Sequence, residues 1–166
     1  MSVQSNNDFY ISGKVLLTYL NELVSLVGEK SVIMVLKRSG WMDQVRKIVS
    51  TRHEKTAPYA ALVGINQQLE EIFGNTALKT LVYSASKRSF AKCFLGTEVM
   101  RETLVWLEKN KESTLRLRVS LEMISHLLQA TSDQKIKIEE SSSHYHLTFQ
   151  QSAACWGVRN KTSPVC

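Results

Sequence analysis

The chain has 166 residues, of which 43% are hydrophobic and 22% are charged, and its formal net charge is +6. This composition is typical of a globular domain and excludes a disordered or fibrous protein. The sequence has no apolar run of the ~18 residues that a membrane-spanning helix needs, and residues 1–10 lack the pattern of a signal peptide. We therefore expect one cytoplasmic domain over residues 1–166, whose first eight residues form a disordered tail.

Residues 9–131 are predicted to be almost entirely helical, because leucine, isoleucine and valine recur there at helical spacing. The first helix should begin after Ser12 and end at Val27, where Gly28 follows as a terminating residue. Similar breaks separate the later helices and lie at Gly40, residues 50–58, Gly74, Gly96 and residues 108–113. Residues 113–130 begin with the alternation of a strand but continue at helical spacing, and their strong helix formers favour a helix.

The pattern changes to that of strands in residues 134–166. Lys135–Glu139 alternates polar and apolar residues, and His144–Phe149 does so again after a turn rich in serine. Two such runs joined by a short polar turn predict an antiparallel hairpin with one buried face. The sequence therefore predicts an α+β fold, in which a mostly helical N-terminal part packs on a small antiparallel sheet built from the C-terminal hairpin.

Two cysteines near the end of the sequence are the only candidates for a metal site. Cys155 and Cys166 could combine with His144 and His146, because zinc prefers thiolate and imidazole ligands. Their spacing matches no standard zinc module, so the sequence predicts no metal and no other cofactor. It also lacks a phosphate-binding glycine loop and the common hydrolase motifs, so it predicts no catalytic residue.

A ligand pocket is predicted beside the hairpin. Trp156 lies in a glycine-containing loop, where its ring can either form the wall of a pocket or fill the core. The candidate pocket residues are Trp156, Cys155, Tyr145, Phe149 and Trp106. Three tyrosines on helix faces are expected at the edges of the core, and these are Tyr19, Tyr59 and Tyr83.

This order of elements resembles the 4-vinyl-reductase domain family. The likeness lies in the helix around residues 121–128, the strands KIKIEE and HYHLTF, and a loop with Cys155, Pro164 and Cys166. It implies an α+β module that binds a small apolar or aromatic molecule without catalysis and that forms a homodimer. Metal-binding members have a third cysteine and an acidic ligand around this loop, where this sequence has only Cys155 and Cys166 and no acidic residue at positions 157–165. The resemblance also places a closing helix after Cys166, to be supplied by further chain or by a partner.

Three other functions are compatible with the sequence. Relatives of that family tether vesicles, so the helices could serve as a scaffold for other proteins. Helices followed by a hairpin also fit a winged-helix DNA-binding protein, and residues 37–55 are rich in basic side chains. The hairpin tip, EESSSH, is acidic where a DNA-contacting wing should be basic, which disfavours nucleic acid as a partner. An enzyme acting on an aromatic or tetrapyrrole substrate is the remaining alternative.

Overall fold

The computed structural model describes residues 9–48, 54–95, 97–142 and 144–151. These residues form seven α-helices and two small antiparallel sheets, which confirms the predicted α+β fold. The helices are α1 (Gly13–Val27), α2 (Glu29–Arg38), α3 (Met42–Ile48), α4 (Tyr59–Phe73), α5 (Asn75–Phe90), α6 (Glu98–Lys109) and α7 (Ser113–Thr131). The strands are β1 (Tyr10–Ile11), β2 (Ala57–Pro58), β3 (Lys135–Glu140) and β4 (Tyr145–Gln151).

Two glycines end helices where the sequence predicts it. Gly28 and Gly74 have φ values of 84° and 81°, which a residue with a Cβ atom rarely adopts. Their amide groups donate to Val24 and Glu70, so each glycine closes the last turn of its helix. The chain then starts a new helix at once, which explains why α1–α2 and α4–α5 are joined by single residues.

The first described residues connect three distant segments. Strand β1 pairs antiparallel with β2, and the amide of Tyr59 donates to the Phe9 carbonyl at 2.8 Å. On its other side, the amide of Ser12 donates to the Thr131 carbonyl at 2.6 Å, and Asp133 donates to Tyr10. These bonds fix the start of α1 against the start of α4 and the end of α7.

The main hydrophobic core lies between α1, α2, α4 and α5. Its fully buried side chains recur at helical spacing on each helix, as Leu16 and Leu23 do on α1 and as Ile65 and Leu69 do on α4. Burial of each such side chain contributes about 1.5–3 kcal/mol to folding. This core sets the spacing of the helices whose other faces form the candidate site.

A second, smaller core joins the rest of the chain to this bundle. Cys93, Phe94 and Met100 are buried there against Val15 of α1 and against two residues of α7. Strands β3 and β4 form the predicted antiparallel hairpin, in which Ile138 lies opposite Leu147. The hairpin contacts α7, where Arg118 forms ion pairs with Glu122 and with Glu140 of β3. Across the described ranges, no helix has the length and apolar content needed to cross a bilayer.

Candidate functional site

An apolar cavity of about 320 Å³ lies between α1, α4 and α5. Most of its wall is hydrocarbon, and a few side chains contribute hydroxyl or amide groups. The lining residues are Ile11, Val15, Leu16, Tyr19, Tyr59, Leu62, Asn66, Val82, Ser86, Ser89, Phe90 and Phe94. Ligand sites in proteins have this combination of a mostly apolar wall and a few polar groups, and begin at about this volume.

Helical periodicity brings the lining residues together. Tyr59, Leu62 and Asn66 are spaced i, i+3 and i+7 on α4, so they lie on one face of that helix. On α5, Val82 and Ser89 are likewise seven residues apart. Each helix therefore packs one face into the main core and turns an adjacent face towards the cavity.

A π-helical turn, Ala91–Leu95, follows directly after α5 and shapes one end of the cavity. The rings of Phe90 and Phe94 lie on either side of the junction, and their centroids are 4.9 Å apart. Both rings line the cavity, although Phe90 is also partly exposed to solvent while Phe94 is buried. Single π turns within helices occur often at functional sites, because the wider turn redirects the side chains that follow.

Three polar side chains, Tyr19, Tyr59 and Asn66, line the cavity where α1 faces α4; we call them the polar edge. The Tyr19 hydroxyl donates a hydrogen bond to Asn66 Oδ1 at 2.7 Å. Within the described chain, no hydrogen-bond partner occupies the Asn66 amide nitrogen or the Tyr59 hydroxyl. The polar edge therefore offers unused hydrogen-bond donors beside an apolar wall.

Burial keeps the two tyrosines of the polar edge protonated. The pKa of Tyr19 is raised far above its ordinary value, first by burial and second by repulsion from Tyr59. Burial also raises the pKa of Tyr59. Both side chains are thus neutral phenols near neutral pH, so they can donate hydrogen bonds but have no charge to offer a ligand.

Ser89 is a buried polar residue at the cavity wall. Its side chain is only 5% exposed, and its hydroxyl oxygen has no hydrogen-bond partner among the described residues. Buried hydroxyl groups are rarely left without a partner, because the lost hydration costs about 1–3 kcal/mol. The Ser89 hydroxyl therefore lies beside the cavity at a cost to the free energy of folding.

The structure places the described residues of the predicted pocket elsewhere. Trp106 lies in a separate surface depression on α6, together with Val105 and Lys109. Tyr145 lines another depression at the hairpin turn, where its hydroxyl donates to Glu140 at 3.2 Å. Phe149 is about half-exposed on β4. None of the three lines the cavity between α1, α4 and α5, and Trp106 and Tyr145 line two different depressions.

The other predicted residues lie outside the described ranges or beside the hairpin turn. Trp156, Cys155 and Cys166 fall in residues 152–166, which the structure does not describe. The rings of His144 and His146 contact each other edge to face, with centroids 4.4 Å apart. In the described part of the chain, no group of three or more histidine, cysteine or acidic side chains could hold a metal ion.

The sequence predicts Tyr19 and Tyr59 at the edge of the core but does not distinguish Asn66 or Ser89 as site residues. A weak signal was present, since Asn66 lies four residues after Leu62 and Ser89 lies four residues after Ala85, next to the apolar stripes. Tyr83, the third tyrosine of that group, is 68% exposed. A polar side chain beside an apolar stripe is expected to need a hydrogen-bond partner at the edge of the core, but the sequence does not show which helix supplies that partner.

No protein-family model, curated protein or solved structure matches this chain. The likeness to the 4-vinyl-reductase domain family therefore stays a hypothesis that depends on the order of elements and on the cysteine loop.

Proposed function

We propose that this chain is a non-catalytic module that binds a small apolar molecule in the cavity between α1, α4 and α5. The observation that carries the proposal is the cavity itself, with its hydrocarbon wall and a few polar groups, among them the buried Ser89 hydroxyl. Apolar ligands are bound mainly because their surface leaves water, while a few polar contacts fix their orientation. Both contributions are available from the residues that line this cavity.

The size of the cavity limits the size of the ligand. A volume of about 320 Å³ holds on the order of ten non-hydrogen atoms, if each occupies about as much space as a water molecule. A single substituted aromatic ring has this size. Phe90 and Phe94 offer aromatic surfaces against which such a ring can pack edge to face or in an offset stack.

The chemistry of the wall favours binding over reaction. The lining side chains carry hydrocarbon, hydroxyl and amide groups. A general base needs a pKa near the working pH, whereas the tyrosines of the polar edge have raised pKa values. They are therefore suited to hold a ligand rather than to remove a proton from it.

The order of elements, helices followed by a hairpin, supports the resemblance to the 4-vinyl-reductase domain family. The proposed position of the ligand differs from the one expected beside Trp156, because the cavity lies within the helical bundle. The described walls of this cavity come from α1, α4, α5 and the short segments next to them.

The proposal is tested with cumene, a hydrocarbon probe of suitable size. Ligands that bind only the folded state raise the free energy of unfolding, by about 1.4 kcal/mol at ten times the Kd. We expect cumene to raise the Tm of the protein and to do so saturably. Val82→Phe, which fills the cavity with a ring, should remove the effect.

The control for that variant is Val99→Phe, since Val99 is 65% exposed on α6 and lies outside the cavity. It makes the same chemical change and should leave the cumene effect intact. A Tm that does not respond to cumene, or that responds equally in both variants, would show that the cavity is not the binding site.

Exposed apolar side chains favour a second function, that of a scaffold or of a homodimer. They are frequent in the described chain from α6 onward, and the most exposed include Val99, Leu117 and Phe149. Apolar surface of this kind often marks a site of contact with another protein. If the chain is a homodimer, the purified protein should have twice the monomer mass in light scattering, and Leu117→Lys should reduce it to one chain; a monomeric wild-type protein would refute the homodimer.

A further inference from the structure

The polar edge indicates which class of molecule the cavity accepts, on the premise that the cavity binds a small apolar ligand as proposed above. We propose that the ligand is uncharged and carries a hydrogen-bond acceptor, such as a carbonyl oxygen, on an apolar or aromatic body. The acceptor receives its hydrogen bond from the Asn66 amide or from the Tyr59 hydroxyl, both of which line the cavity.

The requirement for an acceptor follows from which O–H and N–H groups of the polar edge already donate a hydrogen bond. Tyr19 has one hydroxyl proton, and it is donated to Asn66 Oδ1. That bond orients the Asn66 amide so that its two N–H groups remain available. The Tyr59 O–H is likewise unused within the part of the chain that the structure describes. A ligand in the cavity therefore lies beside hydrogen-bond donors of the polar edge, and an acceptor atom satisfies them.

The requirement for neutrality follows from the charges around the cavity. No lysine, arginine, histidine, aspartate or glutamate belongs to its described lining. The burial of an ion without a counter-charge is far more costly than the burial of a neutral polar group that finds a hydrogen bond. A carboxylate would meet the donors of the polar edge, but its net charge would be left without a partner.

Ser89 adds an independent sign that a polar ligand or solvent group belongs at this site. Among the described residues, its buried hydroxyl has no hydrogen-bond partner. Ser89 lines the cavity from α5, whereas the residues of the polar edge lie on α1 and α4. A ligand with one acceptor and an otherwise apolar body leaves Ser89 unpaired, whereas a second polar atom could reach it after rotation about χ1. The acceptor at the polar edge is the primary contact.

Three aromatic probes of equal size separate these requirements. Cumene is a hydrocarbon, acetophenone has a carbonyl oxygen, and benzoate has a charged carboxylate. Cumene leaves water more readily than acetophenone does, so the informative quantity is the change in each Kd between variants. We therefore compare Tyr59→Phe with Tyr83→Phe, its match on an exposed face of α5. Asn66→Asp is compared with Asn21→Asp, its match on the exposed side of α1.

The expected result is a selective loss for acetophenone. One cavity variant should weaken its binding about three- to tenfold, which corresponds to one hydrogen bond, and should leave cumene nearly unchanged. The variant that causes the loss identifies the donor, and the control variants should alter neither Kd. Benzoate should not bind measurably to the wild-type chain.

An infrared measurement keeps the test independent of affinity. The carbonyl stretch of bound acetophenone should lie below its frequency in a hydrocarbon solvent and should move back towards it in the variant that loses the donor. The inference would be overturned if both cavity variants bound acetophenone as tightly as the wild type and left its carbonyl band at the wild-type frequency. It would also be overturned if the wild-type chain bound benzoate as tightly as acetophenone. If neither cumene nor acetophenone binds the wild-type chain, the proposed function itself fails.

Discussion

Replacement of Ser89 by alanine should stabilise the protein in the absence of ligand. The Ser89 hydroxyl is buried and has no hydrogen-bond partner among the described residues, so folding removes it from water without compensation. That loss costs about 1–3 kcal/mol, and alanine avoids it. Since alanine is also the better helix former by about 0.5 kcal/mol, part of the gain would come from the backbone of α5.

Ser84→Ala separates the two contributions. Ser84 is a half-buried residue of the same helix, and it does not line the cavity. We expect Ser89→Ala to exceed Ser84→Ala by about 1–2 kcal/mol in the free energy of unfolding. For a chain of this length, that difference raises the Tm by about 3–6 °C.

Urea denaturation followed by far-ultraviolet circular dichroism measures both variants. The midpoint should rise for Ser89→Ala while the slope m stays constant, because the surface exposed on unfolding hardly changes. If Ser89→Ala were no more stable than Ser84→Ala, the hydroxyl would be satisfied in solution. The assignment of Ser89 as an unsatisfied group at the cavity wall would then be refuted.

Three further predictions concern the elements around the cavity. Lys92→Met should lower the free energy of unfolding by about 2 kcal/mol in urea titrations, because it leaves the buried Glu22 carboxylate without its ion-pair partner. The double variant with Glu22→Gln should recover part of this loss, and a lack of recovery would contradict the pairing. Gly64→Ala should alter Trp41 fluorescence, since its Cβ would lie 3.0 Å from Trp41 Nε1. This crowding costs about 1–3 kcal/mol, and the higher helix propensity of alanine offsets about 1 kcal/mol of it, so the free energy of unfolding should fall by about 1 kcal/mol; a gain in stability would refute this contact. The free energy of unfolding should fall as the pH rises above about 10, because tyrosine ionises there in the unfolded chain while buried Tyr59, with its raised pKa, stays protonated in the folded protein. Urea denaturation between pH 9 and 11 should show a shallower fall for Tyr59→Phe than for Tyr83→Phe. Equal slopes would argue against the burial of the Tyr59 hydroxyl.

The helices and the hairpin could be predicted because their signals are local. Gly28 and Gly74 end helices by their own backbone conformation, and the alternation in residues 135–149 defines the hairpin without reference to the rest of the chain. Strands β1 and β2 have two residues each, which is too short for any periodicity to be visible. They form because distant segments meet, and the sequence does not encode that meeting locally.

The site was harder to predict for the same reason. Tyr19 and Asn66 share a hydrogen bond although 47 positions separate them. Each one looks like an ordinary residue beside an apolar stripe, and only the packing of α1 against α4 and α5 makes them neighbours. The π turn after Phe90 was also hidden, because Phe90 and Phe94 are spaced as on an ordinary helix. Trp156 and Trp106 are conspicuous in the sequence because they are large and aromatic, whereas nothing in the local sequence distinguishes Asn66 or Ser89 from other polar residues.

The most direct test of ligand binding in this cavity is a nuclear Overhauser measurement on methyl-labelled protein with bound cumene. Leu62 of α4, Val82 of α5 and Val15 of α1 line the cavity from three sides, so their methyl groups should all show contacts with the probe. Contacts confined to exposed methyl groups such as those of Val99 and Leu117, or no contacts at all, would contradict the account.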